Sequence, residues 1–172
     1  MEIENISIKE LLSEISSAVT GLTTLMATVD EHKVNTVPYD GSWTAPQLLN
    51  HVTKSINGMA KAMQADSVPA NRNPAERVEE LRKIFLDFSQ KFQSPAFIVP
   101  DDDIYEQSLT IDQLNEAFEG FKKSATTANL EELIEGLPLG PITKLETIYF
   151  TLFHTQRHLH QLKKICEALK TK

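Results

Sequence analysis

Two histidines four residues apart, His154 and His158, stand in the segment Phe153-His154-Thr155-Gln156-Arg157-His158-Leu159-His160-Gln161-Leu162. On a helix that spacing stacks both imidazoles on one face, where they can hold one divalent metal ion without bending the backbone. A third imidazole from another helix would leave a coordination position open, which separates a reactive site from a purely structural one. His51, in Gln47-Leu48-Leu49-Asn50-His51-Val52, lies on a second predicted helix and is the candidate third ligand. Three neutral imidazoles suit zinc, nickel, copper or iron(II), with zinc or nickel the leading expectation.

Helices must position these residues, and the chain marks where they begin. Five sites pair a capping residue with Glu or Gln three positions later: Ser7/Glu10, Thr44/Gln47, Asn73/Glu76, Thr110/Gln113 and Thr143/Glu146. Pro74 also occupies a first helical position, where its missing N–H costs nothing. These signals predict helices over 7–31, 44–64, 74–92, 110–128 and 143–170. The first carries Leu11, Leu12, Ile15, Val19, Leu22 and Met26 at three- and four-residue intervals, and the second repeats the pattern with Leu48, Leu49, Val52, Ile56, Met59 and Met63. The last is apolar over a wide arc, which predicts the most buried helix. No segment alternates with period two over a strand's length. Ala96-Phe97-Ile98-Val99, bounded by Pro95 and Pro100, is the one plausible short extended stretch. The expected fold is all-α: a four-helix bundle with an additional helix in a long connection, one domain over 1–172.

At about 100° per residue, His158 falls about 40° from His154, and Gln161 about 20° to its other side. Both share the bundle-facing arc with Thr151, Leu162 and Leu169. His51 lies at the edge of its own apolar stripe, with Gln47 one turn earlier. Spacing alone leaves two readings open: hydrogen-bonded histidines in a polar patch of core, or ligands to a metal. Burying two imidazoles without partners is costly, which favours partners of some kind. Gln47 and Gln161, one turn from a ligand each, are candidates to orient imidazoles or bound water.

The string Gly41-Ser42-Trp43-Thr44-Ala45-Pro46-Gln47-Leu48-Leu49-Asn50-His51 resembles the start of the second helix in the DinB-like superfamily, which includes the YfiT-like proteins assigned as metal-dependent hydrolases. Leu139-Gly140-Pro141-Ile142-Thr143-Lys144, followed by His154-x-x-x-His158-x-x-Gln161-Leu162, resembles its last helix. The resemblance runs through nearly the whole chain in order. It implies a four-helix bundle, a homodimer, and a divalent metal held by His51, His154 and His158. It also implies two chemistries. A zinc-like ion lowers the pKa of bound water from about 15.7 toward about 7, which gives hydrolysis. Alternatively the ion deprotonates a substrate thiol, which gives thiol transfer with a low-molecular-weight thiol as partner. A different class of function stays open: a non-catalytic bundle in stress response whose metal or histidine cluster stabilises the fold or binds a small ligand.

Other residues draw weaker readings. Glu146 is about two turns before His154 and too far around the helix to act as a general base beside the triad. His160 projects at about 240° on the same wheel, beside Tyr149 and Phe153; that aromatic side predicts a dimer surface. His32 suits the end of the first helix. Cys166 reads as a small buried residue, and Asp101-Asp102-Asp103 as a solvated loop lacking calcium-loop spacing. On length alone, the connection 93–109 is a candidate lid.

A content of 41% hydrophobic and 24% charged residues is that of a soluble globular chain. A net charge of -7 argues against nucleic acid as the main partner, since phosphate binding needs a basic face. The start Met1-Glu2-Ile3-Glu4-Asn5 lacks the basic-then-apolar pattern of a signal peptide. The longest uncharged run, Ile15–Val29, is too short to span a bilayer. One cysteine precludes an intrachain disulfide and fits a reducing compartment. The expected setting is the cytoplasm, with a small-molecule substrate.

Overall fold

The computed structural model describes residues 7–172, so the N-terminal start Met1–Asn5 lies outside the described residues. Among those described, five α-helices carry the fold: α1 (Ile8–Ala27), α2 (Ala45–Gln64), α3 (Val78–Leu86), α4 (Gln107–Thr127) and α5 (Lys144–Lys170). Helices α1, α2, α4 and α5 form a ring in which α1 and α2 each pack on both α4 and α5. Helix α3 lies outside the ring against α5. The expected all-α bundle with an extra helix in a connection is what the chain adopts.

Three of the five expected caps form complete capping boxes, at Ser7/Glu10, Thr44/Gln47 and Thr143/Glu146. The other two do not, and each failure has a cause. The Asn73 side chain accepts from the Ala75 N–H, and residues 74–77 form turns before α3 starts at Val78. The Arg77 N–H is taken by Glu146 Oε1 at 2.7 Å, so it is lost to any local helix. Helix α4 begins at Gln107, three residues before Thr110, whose hydroxyl donates back to the Glu106 carbonyl at 2.7 Å. Gln107 Nε2 donates to the Met26 and Val29 carbonyls, closing the C-terminus of α1, which stops at Ala27 and not at 31. Helix α3 stops at Leu86, short of the expected 92.

Ala96–Ile98 is a 3-10 turn and not an extended stretch. Extended backbone occurs elsewhere, in a small antiparallel sheet of β1 (Val68–Pro69), β2 (Glu132–Ile134) and β3 (Ile142–Thr143), in that order. Its register pairs Val68 with Leu133, and Leu133 with Thr143. Strands of two or three residues are too short to alternate visibly, so no period-two signal announced them. The buried Lys144 ammonium closes this end, pairing with Glu132 at 2.9 Å, which also accepts from the Ser67 hydroxyl.

Helix α5 is buried on nearly every side from Lys144 to Thr155. Its interior hydroxyls need no outside partner: Thr147, Thr151 and Thr155 each donate to the carbonyl four residues back. Helix α1 fits closely against it: a Cβ added at Gly21 would stand 3.0 Å from the Leu159 side chain. Tyr149 and Phe153 are buried in the main core, and the His160 ring stacks on Phe88 at 4.1 Å and 9°. On the side expected to face a second subunit, Tyr149 and Phe153 are therefore covered within one chain, while His160 stays half-buried beside the exposed Phe88. No described helix is long and apolar enough to cross a membrane.

Candidate metal centre

Helix α2 brings His51, and α5 brings His154 and His158, to one point in the bundle interior. The three Nε2 atoms stand 3.2 Å (His51–His154), 3.1 Å (His51–His158) and 3.1 Å (His154–His158) apart. The rings are 1%, 6% and 7% exposed for His51, His154 and His158. Ligand atoms at tetrahedral angles on bonds of 2.0–2.1 Å stand about 3.3–3.4 Å from one another. The cluster is thus already close to the spacing that one small ion requires. Among the described residues no Cys, Asp or Glu joins these three.

His51 Nδ1–H donates to the Ile98 carbonyl at 2.9 Å, and His158 Nδ1–H donates to Gln161 Oε1 at 3.0 Å. Both rings carry their proton on Nδ1 and so present bare Nε2 lone pairs to the cluster. His154 has one proton to give and faces two lone pairs. Adding protons is opposed: burial first, then the neighbouring imidazoles, push His154 well below the usual histidine range and His158 down to about 3. Burial likewise lowers His51, outweighing the Ile98 carbonyl, which raises it. Neutral imidazoles with converging lone pairs in a buried cluster are able to hold a cation, and the donor set fits a divalent transition metal.

Aromatic rings hold the imidazoles in place. His154 stacks on Phe150 at 5.2 Å and meets Phe85 edge-on at 6.0 Å, while Trp43 lies 4.9 Å from His51. Arg157, between the two α5 histidines, turns outward and donates to the carbonyls of Phe85, Asp87 and Gln90, its guanidinium lying over Phe92. Burial lowers its pKa, and Asp87 opposes that shift. This ties the chain that follows α3 to the ligand-bearing helix.

The sequence placed Gln161 beside an imidazole, as found. Gln47 is different: its Oε1 accepts the Thr44 N–H in the cap, and its Nε2 points to the Asp101 carbonyl at 3.4 Å. The Nδ1 partner of His51 is instead the Ile98 main chain, from the connection expected only as a lid. A backbone carbonyl has no residue-type signature, so no motif could have shown it. Arg157 did leave a signal, as a cation between two buried positions on an apolar helix. Glu146 is fully buried, far from general-base duty. Burial pushes its carboxyl up, but paired bonds from Arg72 at 2.7 Å and the N–H groups of Thr143 and Arg77 hold it below the ordinary range.

Fold and site together define a helical bundle with a buried three-histidine cluster able to hold a metal ion. The family model described as the DinB superfamily matches residues 15–162, and the chain belongs to that superfamily. Neither curated proteins nor solved structures yield a match.

Proposed function

We propose that the protein binds one divalent cation through Nε2 of His51, His154 and His158 and uses it in hydrolysis or thiol transfer on a small molecule. The observation that carries this reading is the convergence of three neutral Nε2 atoms within 3.2 Å, two of them fixed as bare lone pairs. When bound, such an ion supplies Lewis acidity, lowering the pKa of a coordinated water or thiol. The chain's own contribution is to hold three imidazoles neutral, to fix two tautomers through Ile98 and Gln161, and to exclude water with Trp43, Phe85 and Phe150. Three protein ligands, with no fourth acidic or thiol group beside them among the described residues, support an open position for a substrate atom. Zinc and nickel are the proposed ions. The lone cysteine supports a cytoplasmic setting.

One observation favours a second, non-catalytic reading. All three histidines of the cluster are buried. Calorimetric titration of tag-free protein with zinc and with nickel tests the first step, and one ion per chain is expected. Cobalt-loaded protein then separates the readings. Visible absorption that changes on adding a small thiol, together with turnover in a thiol-and-ester panel, supports the enzyme. Absorption indifferent to thiols and no turnover supports the structural role.

A further inference from the structure

Lys54 stands nearly one turn beyond His51 on α2, and its side chain reaches out to the segment 95–101. Its Nζ donates to the Val99 carbonyl at 3.0 Å and to Asp101 Oδ2 at 3.0 Å. One peptide earlier, the Ile98 carbonyl accepts the Nδ1–H of His51 at 2.9 Å. The helix that carries the histidine thus also grips the piece of chain that orients it. Pro100 is buried and anchors the far end of that piece, but the 3-10 turn Ala96–Ile98 has no buried residue and Phe97 is 66% exposed. The remaining ties, from Gln47 and Tyr105, both reach the Asp101 carbonyl, three residues beyond Ile98.

We propose that Lys54 is a positioning residue for the metal centre, latching segment 95–101 onto α2 so that the Ile98 carbonyl directs His51 Nε2 at His154 and His158. The inference rests on the metal-binding reading of the triad. A carbonyl on Nδ1 fixes both the tautomer and the ring orientation of a ligand histidine and raises its basicity. Without the latch, the exposed turn is held only from its buried end at Pro100 and from the Asp101 carbonyl, and the Ile98 carbonyl is freer to leave His51. The charge of Lys54 works the other way, because an ammonium near a cation site repels the ion. Removing Lys54 therefore gives opposite signs under the two effects. A latch predicts faster metal loss, and charge alone predicts slower loss.

The test is chelator-driven release of zinc from the loaded parent, Lys54→Met, Lys54→Arg and Asp101→Asn. Release about tenfold faster from Lys54→Met is expected, the scale of losing a charge-assisted hydrogen bond. Lys54→Arg, which keeps donors and charge, should stay near the parent, and Asp101→Asn should fall between. Equal or slower release from Lys54→Met overturns the proposal; should that variant not fold, Asp101→Asn releasing at the parent rate overturns it. A metal-free arm reads the imidazole nitrogen shifts of His51. The parent should show the Nδ1–H tautomer and Lys54→Met a mixture, and an unchanged tautomer in Lys54→Met overturns the latch. A parent that takes up no zinc defeats the metal reading and leaves this arm to decide the latch.

Discussion

At the scale of single residues, two glutamines that each stand about one turn from a histidine have different work. Gln161 accepts the Nδ1–H of His158, so Gln161→Leu should weaken metal affinity about 10- to 100-fold, read by competition against a chromogenic chelator. Gln47 closes the Thr44 cap, so Gln47→Leu should cost about 1 kcal/mol in urea denaturation and leave metal affinity near the parent value. An equal loss of affinity in both variants would contradict this division. The three histidines were legible because an i, i+4 pair on an apolar arc is a pattern of residue types. Which polar atoms serve their outer nitrogens was not, since one is a main-chain carbonyl 47 residues away from His51.

At the scale of elements, boundaries failed where a distant group took over a local bond. Helix α3 starts late because Glu146 captures the Arg77 N–H, and Arg157 holds carbonyls at its C-terminal end. Neither effect is visible within the α3 sequence. Glu146 ties Arg72, Arg77 and the α5 cap to one buried carboxylate, so Glu146→Ala should cost about 3–5 kcal/mol in chemical denaturation. Its folded pKa lies below the unfolded value of about 4.3. That contribution is therefore present above pH 4.3 and lost as pH falls through the folded value. Arg157→Met should speed amide hydrogen exchange at residues 85–91 while the bundle helices stay protected, because it leaves those carbonyls without their donor. Uniform exchange along the chain after either substitution would assign these residues a different role.

At the scale of the whole molecule, apolar periodicity was enough to show the bundle, because four long helices each carry a continuous stripe into one core. The small sheet escaped because its strands are shorter than one alternation. Homodimerisation is retained as a proposal on the family resemblance; light scattering at micromolar concentration should give twice the chain mass, and a monomer mass refutes it. Stability should couple to the site. The unfolded chain binds protons below pH 6.5 that the folded chain refuses, because burial holds His154 well below the usual histidine range and His158 down to about 3. Unfolding free energy therefore rises with pH in that window, fully present above 6.5 and lost as pH falls. An ion at a hundred times its dissociation constant adds about 2.7 kcal/mol. Chelation should lower the melting temperature at pH 7.5, and the difference should persist near pH 5.5, because the buried imidazoles of the folded chain stay neutral there and protons do not compete with the ion.

The central claim is that three imidazoles, and these three, hold one metal ion. X-ray absorption on zinc-loaded, tag-free protein tests it most directly, because imidazole nitrogens scatter distinctively. The account predicts three imidazole nitrogens at about 2.0–2.1 Å in the parent. It further predicts that His51→Ala, His154→Ala and His158→Ala lose that signature while His160→Ala keeps it. An oxygen-dominated shell in the parent, or an imidazole signature that survives loss of any of the three, would contradict it.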